Sequence, residues 1–178
     1  NMTKVTSTTG KVVDLIYNYQ NSLTQVKKEG TPIADYQYDT SRQKVYSYYP
    51  QIGERKIYHI DFQGRIIGEG TVNEQNQVTE DYTKRYIYAG NSKIGMTYQN
   101  KTYFYFNSIQ GTPVFVTDES GTIVQRFQVD PYGNLERQTG EMPDEFHYTG
   151  KKADKITGMI DFGQRWYIPE LMQWATED

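Results

Sequence analysis

The chain has 178 residues, a net charge of −3 and no cysteine. That length suits one domain with a core of its own or a slice of a longer protein. The missing cysteine excludes disulfides and thiolate metal sites, and lysines and arginines scattered without a basic stripe argue against a nucleic-acid partner.

Seventeen Tyr, seven Phe and fifteen Gly stand within a chain that is only 36% hydrophobic. Tyrosine buries a large ring while its hydroxyl keeps a polar partner or water, so this composition favours half-wet β-sheets over helix bundles. No apolar run approaches the length of a membrane span, and the opening NMTKVTSTTG is too polar for a signal peptide.

In chain order, six segments share one cadence: IYNYQNSLTQV (16–26), DYQYDTSRQKV (35–45), IYHIDFQGRII (57–67), RYIYAGNSKIG (85–95), YFYFNSIQGTPVFV (103–116) and RFQVDPYGNLE (126–136). Each has an aromatic, any residue, then Tyr, Ile or Val, followed by a polar turn and an aliphatic. The leading aromatics are Tyr17, Tyr36, Tyr58, Tyr86, Tyr103 and Phe127. Their steps of about one to two dozen residues match a hairpin unit. Rings at this spacing are expected to form ladders joining neighbouring repeats. The rival expectation is a carbohydrate-binding surface.

GEGTVNEQNQVTEDYTK (68–84) reads as an extended hairpin rather than a linker. In TDESGT (117–122), Asp118 opens a turn and Gly121 closes it. TIVQRFQV (122–129) is a strand, with Phe127 and Val129 on one face. In DPYGN, Asp130 accepts from its own turn, Pro131 presets φ and Gly133 can take φ > 0. The cadence stops near QTGEMPDE (138–145), so 1–137 is expected to be a repeat sheet, with 138–178 packed on it as one unit. Short helical or irregular structure is expected after Pro143.

Three lures are set aside. Asp161-Phe162-Gly163 lacks the other parts of a kinase, and no Gly-x-Ser-x-Gly elbow is present. His59 and His147 lack metal-ligand spacing, so each is expected to hydrogen-bond locally, and neither a metal nor a cofactor is expected.

Over 84–178 the chain resembles the YD-repeat, or RHS-repeat, proteins and their RHS-repeat-associated core domain. The resemblance rests on RYIYAGNSKIG, on the run YFYFNSIQGTPVFVTDESGTIVQRFQVDPYGNL, and on FHYTGKKADKITGMIDFGQRWYIPELMQWATED. It implies an all-β fold: sequential antiparallel hairpins in a curved or spiralling sheet, part of a shell, with a small irregular C-terminal plug. It also implies a bacterial, secreted or surface-exposed toxin-delivery protein whose shell encloses or presents a C-terminal toxic cargo of the same polypeptide. An immunity protein acting on that cargo, a glycan and a cell-surface protein are further partners to consider.

In several members the core domain cuts the chain in a step resembling aspartic proteolysis. Carried over by position, its two carboxylates fall on Asp154 and Asp178, with Arg165 as a possible charge partner. In such a pair one acid stays protonated while the other activates water. Ala153 stands where some self-cutting members have Arg, and the Pro and Gly that would follow Asp178 in the family, and any scissile bond, are not in the sequence. The residues alone favour a solvated turn carboxylate at Asp154 and a free end at Asp178. They also favour Arg165 stacked on Trp166 or Tyr167 and paired with Asp161. Ile168 replaces a family aspartate and is expected to be a hydrophobic anchor.

Overall fold

The structure, a computed structural model, describes residues 3–6, 12–140, 144, 145 and 147–176. Thirteen strands form one antiparallel sheet. They are β1 (Lys4–Thr6), β2 (Val12–Tyr17), β3 (Leu23–Lys28), β4 (Thr31–Tyr38), β5 (Lys44–Tyr49), β6 (Glu54–Ile60) and β7 (Ile66–Val72), then β8 (Val78–Ala89), β9 (Ser92–Tyr98), β10 (Lys101–Asn107), β11 (Pro113–Thr117), β12 (Ile123–Val129) and β13 (Leu135–Gly140). Their order in space is their order in the chain, as expected of hairpins laid side by side. Residues 68–84 do extend one hairpin, with β7 and β8 on either side of its turn.

The turns explain the regularity. Asn18, Asp39, Asp61, Asn73, Asp118 and Asp130 each accept the backbone N–H groups two and four residues on through one side-chain oxygen. The residue three positions on is left-handed in each: Asn21, Arg42, Gly64, Asn76, Gly121 and Gly133, with φ between 58° and 92°. A short polar side chain fixes the first bend, a left-handed residue closes the loop, and a bulge follows. The repeated register shifts at the strand ends are those bulges.

Counting back three residues from the turn gives the inward-facing position. Leu15, Tyr36, Tyr58, Tyr105 and Phe127 occupy it, and Tyr86 joins them from β8; all are buried. Beside two of the leading aromatics the buried place falls two residues away, on Leu15 beside Tyr17 and on Tyr105 beside Tyr103; Tyr17 and Tyr103 pack half-buried on the same clusters. The ring ladder is corrected. These rings sit on alternate strands, about 9–10 Å apart at ordinary strand spacing, too far to stack. The intervening strand supplies a cation. Lys44 Nζ lies 5.4 Å from the Tyr36 ring centroid and 5.1 Å from that of Tyr58. Lys93 Nζ lies 4.9 Å from Tyr86 and 4.0 Å from Tyr105.

The C-terminal segment folds back over this face as a hairpin, β14 (His147–Tyr148) and β15 (Lys151–Lys152), and a three-stranded sheet of β16 (Ile160–Asp161), β17 (Trp166–Ile168) and β18 (Gln173–Trp174). The helical structure expected after Pro143 amounts, among the described residues, to one 3-10 turn, Pro169–Leu171. Met159, Trp166, Ile168 and Ala175 join Leu15, Leu23, Val26 and Tyr36 in one core cluster. Tyr148 packs on a second, built from Tyr86, Met96, Tyr105, Val116 and Phe127. Ile168 is the anchor expected of it, 6% exposed.

Gly70 exposes a close backbone approach. A Cβ there would stand 2.4 Å from the Asp81 carbonyl oxygen and 2.6 Å from that of Glu80. Gly70→Ala must push the bulged part of β8 away, and overpacking of this kind costs about 1–3 kcal/mol. Urea unfolding should show that loss; unchanged stability would mean that β8 does not approach β7 so closely.

Candidate functional site

Two polar centres lie buried between the C-terminal segment and the sheet. The first surrounds Asp154, which is 4% exposed. Its backbone N–H donates to Met159 O, and its own carbonyl accepts the Gly158 N–H, closing a turn. Oδ1 accepts from the Ile156 and Thr157 N–H groups and the Thr157 hydroxyl at 2.9–3.1 Å. Oδ2 accepts from the Tyr36 hydroxyl at 2.9 Å and the Tyr49 hydroxyl at 2.7 Å. Burial first, then neighbouring groups including Asp154, push both phenols far above their usual range, so they remain donors. Asp154 is thus a turn residue, as expected, but not a solvated one. Asp178 lies outside the described residues.

Beside it, Trp166 stacks on Tyr36 with ring centroids 4.8 Å apart and donates its indole N–H to the Tyr38 hydroxyl at 3.0 Å. Lys44 Nζ sits 4.5 Å from the indole and 3.0 Å from Asp161 Oδ2. Burial alone would lower the Lys44 pKa; Asp161, Tyr58 and Asp154 outweigh it and leave it raised. Asp161 thus has Lys44 as a partner, from a strand more than a hundred residues away in sequence. The Arg165 guanidinium lies 4.3 Å from the Trp174 ring rather than on Trp166 or Tyr167.

The second centre is a seam of charges. From the sheet come Glu69, Lys56, Lys84 and Lys93; from the C-terminal segment come Asp144, Glu145, His147 and Lys152. Glu145 lies 2.8 Å from both Lys56 and Lys152 and 3.3 Å from Lys84. Asp144 lies 3.1 Å from Lys93 Nζ and 3.1 Å from His147 Nε2, and accepts from the Tyr86 and Tyr105 hydroxyls. Glu69 is bridged to Lys152, lies 3.5 Å from Lys56 and accepts from Tyr86.

Burial pushes the Glu69 carboxyl up, but Lys152, Lys84 and Lys56 overcome it and hold it at about 2. Burial likewise works against Asp144 and Glu145, yet Lys93 and Lys152 respectively lead the groups that hold them far below the usual carboxylate range. Burial prevails at Lys93, lowering it to about 8 against the pull of Asp144. The three carboxylates approach within 4.8 Å, close enough to share a metal ion. The lysine ammonium groups already fill the cationic places, so the donor set suits ion pairing better than a divalent metal.

Sequence reasoning missed this seam, although a signal existed. Glu69 lies between Gly68 and Gly70, and Lys56 and Lys84 stand two residues before the buried Tyr58 and Tyr86, on the same inward face. His59 behaves as expected, with Nε2 2.8 Å from the Asp81 carbonyl oxygen. His147 also lies on a strand with a local neighbour, Asp144, 3.1 Å from its Nε2, and it is buried in the seam.

Two hollows border the C-terminal segment. A cleft of about 480 Å³ lies between its hairpin tips and the sheet's turns, lined by Gln43, Arg65, Tyr88, Lys151, Phe162 and Gln164 among others. A groove of about 300 Å³ passes Ala153 and Thr157, on either side of Asp154, and is walled by Leu135, Ile160, Ile168 and Pro169.

The teneurin YD-shell family model matches residues 17–178. The chain is 27% identical over 159 residues to the tRNA3(Ser)-specific nuclease WapA of Bacillus spizizenii, spanning 86% of this chain but 6% of that protein. It is 28% identical over 86 residues to Teneurin-m of Drosophila melanogaster, spanning 47% and 3%. Among solved structures, the TcdB2–TccC3 crystal structure superposes with a TM-score of 0.74 at 18% identity, covering 93% of this chain and 9% of that one. The Photorhabdus luminescens Tc holotoxin pore gives 0.73 at 17%, with the same coverage. At these identities the structures share the fold.

Proposed function

Because the chain belongs to the teneurin YD-shell family, we propose that the sheet forms a stretch of shell wall, running past the expected boundary at 137 to Gly140, and that the C-terminal segment after it is the plug. The shell would enclose or present a C-terminal toxic passenger of the same polypeptide, in a secreted or surface-exposed bacterial protein. One observation carries this reading: acids and a lysine of the C-terminal segment complete charges buried on the sheet's face. A wall built that way is finished only when the plug is seated. The Bacillus relative named as a tRNA nuclease makes a nuclease one suitable passenger. With its native flanking sequence restored, the passenger should resist added protease while the shell is intact and be digested once it is unfolded. Equal digestion in both states would sink the enclosure reading.

A second reading makes Asp154 one acid of a single-turnover autoprotease, with Asp178 as the other and Arg165 as a charge partner. Its support is the burial of Asp154 beside an apolar groove that could seat a peptide strand. Expression with the native downstream sequence should yield two fragments, and Asp154→Asn should yield one. An uncut wild-type product ends this reading without touching the first.

A further inference from the structure

His147 is 5% exposed, at the meeting point of plug and wall. Its charged and titratable neighbours among the described residues are these. Asp144, from its own segment, lies 3.1 Å from Nε2. Lys152 stands opposite it on β15. Lys93 of β9 reaches the same Asp144. The Tyr86 ring of β8 meets the imidazole edge-on, with centroids 6.1 Å apart. Tyr105 and Lys84 complete the surroundings of Asp144. Asp144 Oδ2 comes within 3.1 Å of Nε2, but Nε2 makes no well-directed hydrogen bond. A second proton would place a cation among three lysines whose carboxylates are already engaged.

We propose that His147 is an acid-sensitive latch: its protonation in mild acid loosens segment 144–152 from β8, β9 and β10 while the rest of the sheet stays folded. Burial first, then Lys93, holds the docked imidazole below its ordinary value, with Asp144 only partly opposing them. The sign follows from linkage. Above about pH 6.5 the imidazole is neutral whether docked or released, and docking has its full stability. As pH falls below that, the released imidazole takes up a proton that the docked one resists, so docking weakens down to the docked pKa. The seam's carboxylates, all held below their usual range, act in a lower window: their contribution is full above the released carboxylate value of about 4 and is lost as pH falls below it.

The test is hydrogen exchange of 144–152 in the full chain at pH 7.5 and 5.5, corrected for intrinsic exchange. Protection should fall by up to about tenfold at pH 5.5, the limit set by a released imidazole that titrates near 6.5. His147→Gln should remove the difference, while His59→Gln, at the sheet's other histidine, should keep it. Unchanged protection of the wild type at pH 5.5 overturns the latch whether or not the variants fold. An equal loss of protection in His147→Gln overturns it as well.

Discussion

Glu69→Gln is expected to lower the unfolding free energy by about 3–5 kcal/mol, the usual consequence of removing one partner from a buried ion-paired group. Glu69 is 1% exposed and anchors Lys152, Lys56 and Lys84 together. The amide keeps the shape and an acceptor for the Tyr86 hydroxyl, so the change isolates charge. Three ammonium groups would then share Asp144 and Glu145, with Lys93 already on Asp144. Replacing Glu69 and Lys152 together by leucine should cost less than Glu69→Gln, because paired removal leaves a smaller imbalance. Urea unfolding of both proteins checks this. A loss below about 1 kcal/mol for Glu69→Gln would mean that water or an open plug already screens the seam.

Trp166→Ala should be comparably damaging, about 3–5 kcal/mol, as for other large core aromatics cut to alanine. The indole is 1% exposed, stacks on Tyr36 and donates to Tyr38. Its loss would also take an aromatic face from Lys44. Trp166→Phe retains a ring over Tyr36 and should cost less than half as much. Thermal and urea unfolding would distinguish the two. Equal, small losses would show that β17 does not lie on the wall.

Sequence reading recovered what is encoded locally. The Asp118–Gly121 and Asp130–Gly133 turns were legible because each is decided by side chains within five residues of one another. Which of Leu15 and Tyr17, or of Tyr103 and Tyr105, is most deeply buried was not legible, because residues two apart share one face of a strand. The turn residue resolves them: Leu15 stands three before Asn18, and Tyr105 three before Ser108. Asp154 was legible as a turn residue but not as buried, since Tyr36 and Tyr49 reach it from 118 and 105 residues away. Lys44 as a partner of Asp161 was not legible, because it comes from a strand far away in sequence. Lysine is usually solvated, so inward lysines between tyrosines escape a composition-based reading.

These gaps share a cause. The inner face of the wall is unsuited to water by itself, with its rings, lysines and one glutamate, and what completes it arrives from the far end of the chain. The most direct measurement is therefore a set of NMR contacts from the Trp166 indole protons in the intact 178-residue chain. Close contacts to the Tyr36 and Tyr38 rings are predicted. Contacts confined to residues of its own segment, such as Tyr167 and Trp174, would contradict the account.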